Sequence, residues 1–232
     1  MHQKYFIIIC FLSVGAMFAQ EEIASDSLDS KYREDQFYIG MTYNVLMDTP
    51  ETVQSRGLTG SVHFGYLRDM PINMRRNVAV AIGVGASFDE YGTTLFIGEN
   101  EAEQTIFTSL DASDVAYESN RFSTASIEVP IEFRWRSSRA ETYKFWRVYG
   151  GLRFGYAYWY KASFKQDNNN IVQANIPEFN KMRIGATLSF GYNTINFYGY
   201  YGINPFFENA ITSNGTSIGM STLKLGLLFF IL

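Results

Sequence analysis

The chain has 232 residues, 19 basic against 23 acidic side chains, a formal net charge of −4 and 17% aromatic residues. Mild acidity with no basic tract argues against nucleic-acid binding, and no apolar stretch reaches the length of a transmembrane helix. The one cysteine, Cys10, lies in an N-terminal apolar run, so neither a disulfide scaffold nor a thiolate metal site is expected beyond it.

Residues 1–19 read as a secretory signal peptide, cleaved before Gln20. Lys4 supplies the positive start, residues 6–14 are apolar apart from Ser13, and residues 15–19 end in small side chains. Cleavage removes one basic residue and no acid, which leaves a net charge of −5. Residues 20–35 are polar and acidic and read as a flexible periplasmic leader. Residues 36–232 read as one all-β domain.

Eight segments of that domain alternate apolar and polar residues. A strand sends successive side chains to opposite faces, so each segment is a two-faced strand. The first, 36–47, sets Phe37, Ile39, Met41, Tyr43 and Val45 against Tyr38, Gly40, Thr42 and Asn44. The second is 58–68 and the third 78–91. The fourth ends near Trp135, with Ile127, Val129, Ile131 and Phe133 on its apolar side. The fifth, 146–161, carries Trp146, Val148, Leu152, Phe154, Tyr156, Tyr158 and Tyr160. The sixth runs from Met182 to Tyr192, the seventh includes Ile195, Phe197 and Tyr201, and the eighth Leu223 to Ile231. The polar faces are built of Gly, Ser, Thr and charged residues, as inside a filled barrel, so the apolar faces are assigned to lipid.

Connections alternate in length. Segments 48–57, 92–121, 163–181 and 205–216 are long, while 69–77, 136–145 and 193–194 are shorter. Outer-membrane barrels have short periplasmic turns and longer extracellular loops. The expected fold is therefore an eight-stranded antiparallel up-and-down transmembrane β-barrel with long extracellular loops, in the outer membrane of a Gram-negative bacterium. Pro130 counts against the fourth strand, because proline cannot donate to a ladder. A bulge, or a carbonyl left to face the lumen, would accommodate it.

The fourth and fifth strands carry most of the inward charge. A turn centred near Ala140 sets Trp135 opposite Trp146 and Glu128 opposite Arg153, with Glu132 diagonal to Arg147. Arg134 and Arg147 then oppose each other and need Glu132 between them. The register is fixed only to within about two residues. The parity is firmer, since an odd slip turns every charge into lipid, and an arginine there costs about 2–4 kcal/mol at mid-membrane. An eight-stranded barrel is just wide enough for side chains to fill. Glu128, Glu132, Arg134, Arg147 and Arg153 are thus expected to plug the lumen as a structural ion network; a selective path for small solutes is the alternative. Trp135 and Trp146 are expected at the periplasmic interface, and Tyr156, Tyr158 and Tyr160 at the outer one.

Three stretches carry a resemblance. Residues 223–232, LKLGLLFFIL, resemble the terminal strand by which the barrel-assembly machinery recognises outer-membrane proteins, though with Leu232 in place of a final aromatic. Residues 126–135, SIEVPIEFRW, and 201–207, YGINPFF, resemble segments of the PorT-like outer-membrane barrel family of Bacteroidota. The resemblance implies a porin-like barrel with no catalytic residues, and for some members a part in type IX secretion and gliding.

No enzyme, metal or cofactor is expected. His63 is the one histidine beyond the signal and points inward with Ser61 and Gly65, with no nucleophile placed to form a triad. A lipid-modifying outer-membrane enzyme is the alternative weighed against this. One histidine and no cysteine make a poor metal set, and Glu99, Glu101, Glu103, Asp111 and Asp114 read as a solvated face. The expected partners are outer-membrane lipid, the barrel-assembly machinery and other envelope proteins. The last would meet loop 92–121 or the leader. The apolar residues Leu95, Phe96, Ile97, Ile106, Phe107 and Leu110 suit such a contact; equally, they suit a hairpin extending the strands.

Overall fold

A computed structural model describes residues 35–110, 116–137, 145–167 and 169–231. The expected signal peptide, all but the last residue of the leader, Asp111, Asp114 and Leu232 lie outside the described residues. Among the described residues eleven strands follow in chain order: β1 (Gln36–Met47), β2 (Ser55–Pro71), β3 (Val78–Thr93), β4 (Leu95–Glu99), β5 (Thr105–Ser109), β6 (Ser119–Arg136), β7 (Trp146–Gln166), β8 (Asn169–Gln173), β9 (Met182–Tyr192), β10 (Ile195–Gly202) and β11 (Ser221–Ile231).

Eight of these close a ring. The sheet runs β6-β3-β2-β1-β11-β10-β9-β7, and the β6–β7 pair joins its ends. Every neighbouring pair is antiparallel, including the first with the last, from Phe37↔Ile231 to Met47↔Ser221. Closure leaves no open edge within the ring. The expected eight-stranded up-and-down barrel is what the chain forms. On its outside stand the apolar rows, such as Phe37, Ile39, Met41 and Tyr43 on β1 and Ile127, Val129, Ile131 and Phe133 on β6.

Three strands were not foreseen. β8 pairs with the upper part of β7. β4 and β5 form a separate two-stranded hairpin within the expected 92–121 loop, with Ile97 opposite Phe107. Most apolar residues of that loop thus lie on the paired hairpin strands, and Leu95, Ile97 and Phe107 are buried. β3, β6 and β7 also outrun their expected ends, because alternation continues past the apolar belt with polar residues on the outer side.

The β6–β7 register differs from the expected one by two residues. Trp135 faces Val148, Glu128 faces Gly155 and Arg136 faces Arg147. Parity is unchanged, as an even slip requires. No bulge sits at Pro130. Instead the β3–β6 ladder passes from Ile82↔Ile131 to Gly85↔Glu128, skipping the two residue pairs at the proline. A bulge does occur higher up, where Ala125 faces Trp159 and Ser126 faces Ala157. An extra residue flips the faces of the strand that holds it. Tyr158 and Trp159 are consequently both exposed, and Tyr160 turns inward. This corrects its expected place in the outer aromatic belt: its ring lies 4.5 Å from that of Phe179, inside the barrel mouth.

Candidate functional site

The lumen is the site, and it has two zones. Within the apolar belt charged and polar side chains fill the interior, packed among a smaller set of buried aromatic and aliphatic ones that includes Tyr38, Leu67, Tyr149, Leu228 and Phe230. Ten buried charged side chains stand among the described residues, six basic and four acidic. Near the short-turn end Asp69 accepts from Arg136 at 2.8 Å and from Arg134 at 3.3 Å, while Glu132 takes Arg134 at 3.1 Å. At mid-lumen Arg153 donates to Glu128 at 3.0 Å and lies between Tyr38 and Tyr198, 5.3 and 5.4 Å from their ring centres. Towards the long-loop end Lys224 donates to Asp89 at 2.5 Å. Asp89 also accepts from the hydroxyls of Ser61, Ser87 and Thr124.

Glycines on the inner face make this filling possible. A Cβ on Gly85 would stand 2.1 Å from the Tyr38 hydroxyl, and one on Gly40 would stand 2.2 Å from His63 Nε2. His63 fills the space left by Gly40 on the adjacent strand, and Tyr38 reaches across Gly65 on the adjacent strand to Gly85 on the next.

All five residues expected in the lumen are there, buried, but two pairings differ. Arg134 does not oppose Arg147; it faces Tyr149, with its guanidinium 4.6 Å from the ring centre. Arg147 faces Arg136 instead, donates to the Asn193 carbonyl and stacks 4.4 Å from the Phe145 ring centre. The two-residue slip accounts for both changes. Glu128 and Arg153 meet even though they are not directly opposed, because long side chains reach a diagonal neighbour. Asp69, Asp89, Arg136, Arg183 and Lys224 belong to the network but were not singled out from sequence. Parity could have found them: Asp69 continues the inward row of Ser61, His63 and Leu67.

The second zone caps the first. At the long-loop end Val53, Leu95, Ile97, Phe107, Phe122, Ile176, Phe179, Phe206 and Phe207 are all buried in one apolar cluster. Ring centres there lie 5.0–5.3 Å apart for Tyr91–Phe206, Phe122–Phe179 and Phe107–Phe207. The strap 204–207 brings two of these rings in. Asn204 accepts from the Ile184 N–H at 2.7 Å and donates to the Met182 carbonyl at 2.6 Å, in effect prolonging the β9–β10 pairing. Arg183 donates to the Pro205 carbonyl at 3.0 Å and lies 4.0 Å from the Phe206 ring centre. Below the stopper, a cavity of about 10 Å³ between Asp89, Arg183, Thr222 and Lys224 has room for one water.

A ring of eight antiparallel strands, apolar outside and charged within, is the architecture of a membrane-spanning barrel. Residues 18–208 match the family described as outer membrane protein beta-barrel domain. The chain belongs to this family. The match is to outer-membrane barrels at large and does not single out the PorT-like group. No curated protein matches the sequence. The crystal structure of Ail, the attachment invasion locus protein of Yersinia pestis, is similar over 87% of this chain and 100% of its own, at 12% identity and a TM-score of 0.39, a likeness too loose to bear on function.

As an outer-membrane barrel the protein has its short turns on the periplasmic side and its long connections outside. Trp135 and Trp146 are exposed on the outer face towards the short turns, the latter 5.4 Å from the Tyr192 ring. Tyr156 and Tyr158 are exposed further along β7, where Tyr156 pairs with Met182 at the start of β9. Beyond them the outer-membrane barrel turns hydrophilic, with Arg121 bound to Glu90 at 3.0 Å. Lys165 pairs with Glu118 and holds that exposed carboxyl below its ordinary range.

Proposed function

We propose that this outer-membrane barrel is a sealed, non-catalytic scaffold that acts by holding an extracellular platform for other envelope proteins. The observation that carries the reading is that the bore is filled twice, by the ion network within the belt and by the apolar stopper above it. Rigid barrels present function on their loops, and here the outer connections carry the β4–β5 hairpin and β8. The hairpin tip, with Glu101 and Glu103 exposed, is the part of the platform freest to meet a partner. The PorT-like resemblance suggests an accessory of type IX secretion or surface assembly, in a Bacteroidota-type envelope. Export by a signal peptide cleaved after residue 19, and insertion by the barrel-assembly machinery, belong to the same reading.

The small porin-like channel is the competing reading, and it needs a continuous aqueous path. The lipid-modifying enzyme needs a base at the lipid surface, whereas His63 is buried 4.9 Å from the Tyr198 ring centre. Planar-bilayer recording with purified monomer separates the first two. The scaffold gives a silent bilayer, together with envelope proteins that co-purify from the native membrane and are lost on Glu101→Lys/Glu103→Lys substitution. Steady, ion-selective conductance from the monomer overturns it.

A further inference from the structure

We propose that the periplasmic end of β2 binds a phospholipid, with Arg68 holding the headgroup phosphate. The outward row of β2 runs through Val62, Phe64, Tyr66, Arg68 and Met70, and Arg68 is exposed within it. Its cross-strand partner on β3 is Ile82, itself exposed. The other outward charges on the described strands, Arg56, Glu90, Arg121, Lys161 and Lys165, all stand at the long-loop end. Arg68 thus interrupts a lipid-facing row at the opposite end, and apolar residues continue beyond it: Met70 is 43% and Ile72 60% exposed. Among the described residues its guanidinium has neither a hydrogen-bond acceptor nor a carboxylate partner.

An arginine in that row is stable if its head reaches charge of opposite sign at the interface while its stem lies along apolar surface. Arg68 stands one residue past the last β1–β2 pair, Gln36↔Leu67, at the periplasmic rim of the belt. The group available at that depth is a lipid phosphate, and a guanidinium fork fits two phosphate oxygens at once. The adjoining turn supplies more of the same surface. Met74 is 100% exposed and Arg75 is exposed beside it. That turn is held rigidly: Asn73 accepts from the Val78 N–H at 3.1 Å and donates to Asn77 at 2.6 Å, and Arg136 of the lumen network donates to the Arg76 carbonyl at 3.1 Å. A fixed knuckle of Met70, Ile72 and Met74, flanked by Arg68 and Arg75, continues the lipid face and matches an anionic headgroup rather than a basic partner.

The test is titration of the full chain in detergent with a short-chain phosphatidylglycerol and with the diacylglycerol of the same chain length, read by native mass spectrometry. Wild type binds the phospholipid in preference to the diacylglycerol. Arg68→Gln weakens that binding about fivefold, as loss of one interfacial cation does. Arg68→Lys keeps most of it, and Lys181→Gln at the other end leaves it unchanged. Heat-modifiable migration reports that each variant is folded. Equal binding by Arg68→Gln and wild type, or equal binding of the two lipids, overturns the proposal. A dimer that Arg68→Gln abolishes also overturns it, by assigning the face to a second copy. None of these outcomes depends on whether the barrel conducts or has a protein partner.

Discussion

Asp89→Asn is the most informative perturbation of the lumen. Asp89 on β3 and Lys224 on β11 are 135 residues apart in sequence and meet at 2.5 Å, with side chains only 6% and 9% exposed. Removing one partner of a buried pair leaves an uncompensated charge and costs about 3–5 kcal/mol. Asp89→Asn does this to Lys224, which among the described residues has no hydrogen-bonded carboxylate besides Asp89; the Tyr200 ring lies 5.0 Å away and Glu128 lines the same cavity. Lys224→Met is milder, because Asp89 keeps the hydroxyls of Ser61, Ser87 and Thr124. About 1–3 kcal/mol is expected, the cost of losing one charged hydrogen bond. The double variant Asp89→Asn/Lys224→Met removes both charges and is expected within about 2 kcal/mol of wild type, so the two sites couple by at least about 2 kcal/mol. Urea titration of protein folded into lipid vesicles, followed by tryptophan fluorescence, measures each term. Additive single effects would refute the reasoning, because they would mean that water or another group already neutralises the ammonium.

Ile131→Arg, on the lipid face, is expected to impair insertion by about 2–4 kcal/mol. Glu132→Gln folds with a smaller loss, since Arg134 retains Asp69 at 3.3 Å; equal tolerance in a vesicle-folding assay contradicts the face assignment. Gly85→Ala drives a methyl to 2.1 Å from the Tyr38 hydroxyl and is expected to destabilise by about 1–3 kcal/mol. Adding Tyr38→Phe recovers part of that in the same assay. Phe206→Ala removes a buried ring from the stopper and costs about 3–5 kcal/mol; it leaves planar bilayers silent, because the ion network below still fills the bore.

The ring of strands was legible because lipid outside and packed charge inside impose a strict period of two, and an error of parity would be ruinous. Register was not legible to better than two residues, because an even slip exchanges one inward charge for the next. That slip changed the partners of Arg134 and Arg147 while leaving both in the lumen. Asp69 is legible by parity once strand two is carried past residue 68, to Pro71. The stopper was hidden for a deeper reason. On β7 the even positions from Trp146 through Tyr158 and on to Tyr160, Ala162 and Phe164 are apolar apart from Gly150, while the charges Arg147, Arg153, Lys161 and Lys165 all fall on odd positions. Within the belt those side chains face lipid. Above the belt water replaces lipid, and burial inside is the favoured place for a large apolar side chain. The bulge beside Trp159 reconciles the two demands, turning the same row from the outer face to the interior without a change in the sequence period. β6, the strand paired with it, has no extra residue, so there the pattern itself inverts, with Phe122 inward and Arg121 outward. Two adjacent strands thus cross from lipid to water by different devices. They meet in one apolar core that seals the barrel where the membrane ends.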